Sequence, residues 1–239
     1  MIIQGVALRG VTVVDGGPVT DNLVLYYDPS SSASYPGTGT TINNLAAASL
    51  PGTMSNITYT DPYFAYNGTS SQIAIADAAA LEPGSGDWTM EAWVYLSSST
   101  GSKVVLGKFD PGGLSADVSY SIRIQGANIY SQIGNGSTVV DTALYTLPLN
   151  TWKQVVYVWK NVATNSLEAY VNGVSIGSVS HSFASILNTS ANLYIGSYNG
   201  GEYSQWMNGR IGITRLYNTA LTASQVLQNF ESDRGTYGL

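Results

Sequence analysis

Between Trp88 and Leu96 the chain alternates without a break. Trp88, Met90, Ala92, Val94 and Leu96 fall on one side, and Thr89, Glu91, Trp93 and Tyr95 on the other. A period of two predicts a strand, here with one fully apolar face. Shorter patterns of the same kind predict strands at 23–28, 71–76, 103–109, 119–126, 128–134, 192–198 and 208–217. TWKQVVYVWK, 151–160, is apolar on both sides, which predicts a covered central strand. Gly126-Ala127 predicts a tight turn between two of these strands. LEAYVNGVSIG, 167–177, predicts a hairpin, because Asn172-Gly173 accepts the positive φ angles of a type I′ turn. That turn sets Val171 opposite Val174 and Ala169 opposite Ile176.

One stretch breaks the pattern. In YNTALTASQVLQNF, 217–230, Thr222 and Gln225 have the spacing of a capping box, and Leu221 and Val226 that of a hydrophobic staple. Val226, Leu227 and Phe230 then predict one apolar helical face, with Arg234 and Gly235 as the stop. Many short strands with turn signals between them, closed by one short helix, predict an all-β antiparallel two-sheet sandwich, with the helix covering a sheet edge or end. The loop SSSASYPGTGTTINN, 30–44, is rich in Ser, Gly and Thr.

The N-terminus reads separately. Ile2, Ile3, Val6, Leu8, Val11, Val13 and Val14 are too apolar for a free tail. We expect an arm over 1–20 and one domain over 21–239. The arm is either an added strand of the same sandwich or a strand given to a neighbouring subunit.

Composition narrows the partners. The chain has no cysteine, so disulfides and thiolate metal sites are excluded. The net charge of -6 and the lack of a basic patch argue against nucleic acid. Charged residues make up 10%, against a typical ~25%. Neutral polar groups lose little when desolvated, which suits a packed assembly or a sugar-binding face. No apolar run is long enough for a membrane span. MIIQGVALRGVTVVDGG lacks the basic start, apolar core and cleavage site of a signal peptide. The sequons at Asn56, Asn67, Asn135 and Asn188 therefore carry little weight.

FAYNGTSSQIAIAD, WTMEAWVYL, NTWKQVVYVWK, LEAYVNGVSIG, LYIGSYNGG and MNGRIGITRLYNTALTASQVLQNF come in an order that resembles laminin-G-like, concanavalin-A-like jelly rolls. The resemblance runs from about Leu23 to about Phe230 and rests on order and spacing. It implies two curved antiparallel sheets, one concave, with loop-built edges. LVLYYDPSSSASYPGTGTTINNLA is similar to the opening of such domains in tailed-phage virion proteins.

The resemblance also frames the candidate chemistry. Related glycanases carry paired carboxylates on the concave face, as glycoside hydrolysis requires. Glu91 lies on one face with Trp93, but no second acid sits two or four residues along, and Glu168 approaches it only through the fold. No enzyme activity is expected, and Glu91 and Trp93 are kept as candidate sugar contacts. Members of the fold often bind calcium through edge-loop oxygens, which makes calcium the candidate cofactor and Asp87, Asp110 and Asn199 loop residues of the right type, with no ligand set assigned. Gly173-Val-Ser175-Ile-Gly177 has the letters of a nucleophile elbow but lies in a hairpin strand. His181, the only histidine, reads as a solvated loop residue. The loop SYNGGEYSQW, 197–206, supplies the main sugar-binding candidates: Tyr198, Asn199, Glu202, Tyr203 and Trp206.

The resemblance, the low charge and the apolar arm lead to the expectation of a non-enzymatic virion structural protein. It would be a head-decoration (cement) or appendage subunit of a tailed phage, homo-oligomeric, made in the host cytoplasm and placed on the virion surface against the capsid shell. The alternative is a calcium-assisted carbohydrate-binding adhesin module that takes host-surface glycans.

Overall fold

The computed structural model describes residues 16–109, 118–142, 145–200 and 203–239, with backbone alone at 199, 200, 203 and 204. The arm positions Ile2, Ile3, Val6, Leu8, Val11 and Val13 lie outside the described residues. The strands, in chain order, are β1 (Leu23–Tyr27), β2 (Thr41–Ile42), β3 (Gly52–Ser55), β4 (Thr58–Thr60), β5 (Tyr63–Asn67), β6 (Gln72–Ile75), β7 (Trp88–Leu96), β8 (Ser102–Phe109), β9 (Val118–Gln125) and β10 (Asn128–Gly134). They continue as β11 (Val139–Asp141), β12 (Tyr145–Thr146), β13 (Trp152–Lys160), β14 (Ser166–Val171), β15 (Val174–Ser180), β16 (Leu193–Ile195), β17 (Ser197–Gly200), β18 (Tyr203–Trp206) and β19 (Asn208–Tyr217). One α-helix, α1, spans Ala223–Asp233.

Two antiparallel sheets face each other. The first has the order β15-β14-β13-β7-β19-β5-β4, with β1 continuing beside the far half of β19. The second has the order β11-β10-β9-β8-β16-β6-β3-β2, with β12 beside β10. This is the jelly-roll sandwich that the order of motifs implies. The strands between Gly52 and Asn67 add to those the period-two pattern predicts.

The alternation of β7 sets the layers. Met90, Ala92, Val94 and Leu96 enter the core with Val155, Tyr157 and Trp159 from β13 and Ile122 and Ile124 from the opposite sheet. Each such side chain removed from water contributes about 1.5–3 kcal/mol. The outer residues of β7 and β13 do not all meet solvent. Val156, Val158, Tyr170 and Tyr217 pack with Leu221 and Val226 under α1. That second covered layer explains why β13 is apolar on both faces.

Local signals hold with two adjustments. Asn172 and Gly173 have φ of 50° and 76°, as a type I′ turn needs, and Val171 pairs with Val174. A bulge between Ala169 and Tyr170 then shifts the register, so Ala169 faces Gly177 rather than Ile176. Thr222 and Gln225 form the full capping box. The buried face of α1 is more polar than expected: Asn229 and Asp233 are buried beside Val226, while Leu227 stays 44% exposed against the hairpin turn. After Asp233 the chain continues as a 3-10 turn, Arg234–Tyr237, and stops at Gly238, not Gly235, where φ is 73°.

The boundary at residue 20 also moves. Val19 is buried against α1. Its N–H donates to Asn229 Oδ1 at 2.8 Å, Tyr217 donates its hydroxyl to the Val19 carbonyl at 3.1 Å, and Gln228 Nε2 donates to the Gly17 carbonyl at 3.0 Å. Residues 17–20 therefore belong to the folded domain.

Candidate functional site

Glu91 and Trp93 lie on the outer face of the first sheet, as their alternation predicts, but α1 and the C-terminal turn seal both. Glu91 accepts from Arg215 Nη1 at 2.9 Å, from Gln154 Nε2 at 2.9 Å and from Asn229 Nδ2 at 2.6 Å. Arg215 forks onto Asp233 at 2.6 and 2.9 Å, and Trp93 Nε1 donates to the same carboxylate at 3.2 Å. Burial raises the Glu91 carboxyl above its ordinary value, against the pull of the Arg215 charge and with a further push from Asp233. A shell made only of donors holds it as a carboxylate. Burial also works against the Arg215 charge, but Glu91 and Asp233 outweigh it and keep the guanidinium protonated. Trp93 stacks on Tyr237 and Phe230 at centroid distances of 4.3 and 5.9 Å. Neither Glu91 nor Trp93 is available to a ligand; together they fasten the helix to the sheet.

The 197–206 segment is a two-stranded hairpin, β17 with β18, folded against β8 of the second sheet. Tyr198 packs on Phe109 at 4.6 Å, and its pairing partner Gln205 accepts from Arg123 at 2.7 Å. Trp206 pairs with Ser197 and so faces the other way. The two aromatics do not form one surface. Glu202 and the side chains of Asn199 and Tyr203 lie outside the described residues.

A different set of residues comes together at the open end of the first sheet. Trp152 pairs with Tyr95, Tyr95 with Arg210, and Arg210 with Ala65, so β13, β7, β19 and β5 each place one residue in a single outer row. Tyr63 follows Ala65 on the same face by alternation. The Arg210 guanidinium sits 4.5 Å from the Tyr63 ring and 4.3 Å from the Tyr95 ring. Trp152 lies 5.7 Å from Tyr63 and 5.6 Å from Tyr95, and rests on the buried Tyr237 at 4.6 Å. Gly212 makes room for this: a Cβ there would overlap the Tyr237 hydroxyl, which accepts from the Ile213 N–H at 2.7 Å. The four platform residues are half-buried, and the next outer position, Asn208, is exposed. The arrangement offers aromatic faces, a planar cation and a side-chain amide within one row and the next. Stacking on each ring stabilises the guanidinium by about 0.5–1 kcal/mol. The local sequence gives no hint of this grouping; the signal lies in strand pairing.

Other polar groups are structural. The Lys108 ammonium is buried among Asp77 at 2.7 Å, Glu82 at 2.8 Å and the carbonyls of Thr189 and Ala191, both at 2.7 Å. That oxygen cage is filled by the chain's own cation. Asp87 caps a loop, accepting from the N–H groups of Asn161 at 2.7 Å and Val162 at 3.0 Å. Asp110 lies outside the described residues. Among the described residues, no three His, Cys, Asp or Glu side chains stand close enough to hold a metal ion. Ser175 is exposed within β15. His181 is not solvated, as expected, but buried and stacked on Trp159 at 3.7 Å. Its Nε2 meets the Lys160 carbonyl at 3.1 Å and its Nδ1 accepts from the Phe183 N–H at 3.3 Å.

The fold and this platform define a lectin-like jelly-roll sandwich. The sequence model of the family described as the concanavalin A-like lectin/glucanases superfamily (Laminin_G_3) matches residues 67–227, more than half of the chain, and the chain belongs to that family. No curated protein sequence matches it. Similar solved structures include botulinum neurotoxin type C, whose cell entry is described as dependent upon interaction with two ganglioside molecules, at 11% identity and TM-score 0.68, covering 89% of this chain and 51% of that one. The binding domain of botulinum neurotoxin DC in complex with rat synaptotagmin II has 12% identity and TM-score 0.67, covering 90% and 52%. The binding domain of Paraclostridial Mosquitocidal Protein 1 has 15% identity and TM-score 0.66, covering 88% and 52%. The chain thus spans about half the length of each, and the likeness is one of fold.

Proposed function

We propose that this chain is a non-enzymatic binding module that takes a glycan on the Tyr63–Tyr95–Trp152–Arg210 platform. The observation that carries the reading is the row itself: half-buried aromatic rings held by tilted contacts with one another and with Tyr237, with donors beside them and α1 closing the neighbouring part of the sheet face. Aromatic faces receive the C–H surfaces of a sugar ring, while Asn208 and Arg210 meet its oxygens. A ligand site of this mixed kind is mostly apolar with a few placed polar groups. The structural neighbours support recognition over assembly, since their descriptions name interaction with ganglioside molecules and a complex with rat synaptotagmin II. Sealing of Glu91 supports a non-catalytic role, because the carboxylate singled out for hydrolysis cannot reach a sugar.

The virion role expected from the sequence draws no support from these neighbours, and most of the arm that motivates it lies outside the described residues. A glycan array probed with the full chain tests the present reading. Binding to a defined glycan class that Trp152→Ala abolishes is the expected result. A blank array, with and without calcium, refutes it.

A further inference from the structure

We infer that the glycan taken by this platform carries a carboxylate, and that Arg210 selects for it; this rests on the glycan-binding reading above. The argument starts from what Arg210 lacks. Among the described residues it makes no hydrogen bond and no ion pair, while the three other described arginines are engaged. Arg123 donates to Gln132 and Gln205, Arg215 to Glu91 and Asp233, and Arg234 to Glu231. In a chain of net charge -6 that is a cation with no counterion among the described residues.

Geometry then restricts what fits. Tyr63 and Tyr95 both hold the guanidinium within cation–π range. Ring faces take up the charge but offer its N–H donors no lone pair, and no acceptor among the described residues hydrogen-bonds to the guanidinium, so those donors are left for a ligand. A planar, in-plane acceptor with two oxygens is the complement of that fork, and a carboxylate supplies it bidentately. The neighbouring outer positions are Trp152, Ala65 and Thr58 in the row and Asn208, Asn67 and Ser97 beside it, and none is an acid. Asp28, toward Tyr237, and Asp61, two residues before Tyr63, make no ion pair with Arg210. The exposed Asn208 side chain also makes no hydrogen bond to the described residues and stands two residues from Arg210 on the same strand face, ready for a ring hydroxyl. Lys153 adjoins Trp152 but pairs with Val94 and belongs to the opposite face. One cation on a negatively charged molecule favours a sugar with a single acid group, of the uronic or sialic type, over a polysulfated chain, which needs several cations and would be repelled.

The test uses the full chain on an array carrying neutral, uronate-bearing, sialylated and sulfated glycans. The strongest ligand is then measured by titration calorimetry beside its carboxyl methyl ester, with wild type, Arg210→Lys, Arg210→Met and Trp152→Ala. A carboxylate-bearing glycan should lead, its ester should bind about 10- to 100-fold more weakly, the size expected for hydrogen bonds to a charged group, and Arg210→Met should weaken the acid more than the ester, so that the acid–ester gap closes. Arg210→Lys should fall between, keeping charge without the fork. Equal binding of acid and ester, or no effect of Arg210→Met, overturns the inference while leaving Trp152-dependent glycan binding standing. A preference for sulfated chains also overturns it. Absence of binding to any glycan removes the underlying reading as well. The acid–ester comparison on wild-type protein decides the matter even where Arg210→Met does not fold.

Discussion

Glu91→Gln is the sharpest test of what the outer face of the first sheet is for. The substitution keeps shape and removes one charge, so its cost measures the donor shell alone. Wild-type Glu91 receives three donors: Arg215 and Gln154 on one oxygen and Asn229 on the other. Two of these cannot turn around. Gln154 Oε1 already accepts from the Gly173 N–H at 3.1 Å, and Asn229 Oδ1 from the Val19 N–H at 2.8 Å. The new amide therefore points its own N–H donors at a group that also donates. Losing charge-assisted character costs about 1.5–3 kcal/mol and stranding a buried donor about 1–3 kcal/mol. The expected total is about 3–5 kcal/mol, or ~6–20 °C in Tm for a domain of this size. Scanning calorimetry and urea unfolding measure it, and near-UV circular dichroism follows Trp93 as the helix loosens. Glycan binding below the transition should not change. A variant within about 0.5 kcal/mol of wild type, the range of ordinary surface substitutions, would refute the account of Glu91 as a helix fastener.

Four further outcomes follow, three from the same geometry and one from the apolar arm in the sequence. Lys108→Met should cost about 3–5 kcal/mol in urea unfolding, because it leaves two carboxylates without their cation, whereas Asp77→Asn, whose side chain is 37% exposed, should cost under about 1 kcal/mol; equal losses would contradict the cage. Burial lowers the His181 pKa below its ordinary 6.5, against the raising effect of the Lys160 carbonyl bond, so the unfolded chain takes up the proton first. Stability should then be full above the ordinary value and fall as pH drops through it toward the folded pKa. His181→Phe should flatten that slope in urea midpoints taken between about pH 7.5 and about pH 5, and an unchanged slope would assign it to another group. Light scattering should find the full chain oligomeric and a form starting at Gly16 monomeric, and a monomeric full chain would remove the arm as an assembly device. A form starting at Asp21 should lose a further ~2–4 kcal/mol, since it gives up Val19 burial and its bonds to α1 and Tyr217.

Much of the sandwich was legible because its signals are local. The alternation of 88–96, the Asn172-Gly173 turn and the Thr222–Gln225 capping box each fix structure within a few residues, and all three appear as read. The strands between Gly52 and Asn67 were harder. They run for only 4, 3 and 5 residues, too short for a clear alternating pattern, and their partners are distant: β5 pairs with β19 through Asn67 and Asn208. The bulge at Ala169 was equally hidden, because an extra residue in one strand leaves no mark in the turn that sets the register.

The site was hidden for a related reason. Aromatic density along a single loop drew attention to 197–206, yet a sheet surface is assembled across strands, one residue from each. Tyr63, Tyr95, Trp152 and Arg210 lie on four strands, and only the pairings Trp152–Tyr95 and Tyr95–Arg210 reveal them as neighbours. The face was legible, since Tyr95 alternates with Glu91 and Trp93. What covers the face was not. The polar residues Asn229 and Asp233, four apart on α1, were the available sign. A helix that turns an amide and an acid inward beside Val226 must meet buried donors and acceptors on the sheet, and those are Glu91, Trp93 and Arg215. The same helix that removes Glu91 from chemistry therefore defines where chemistry remains: the aromatic end of the row that α1 does not reach.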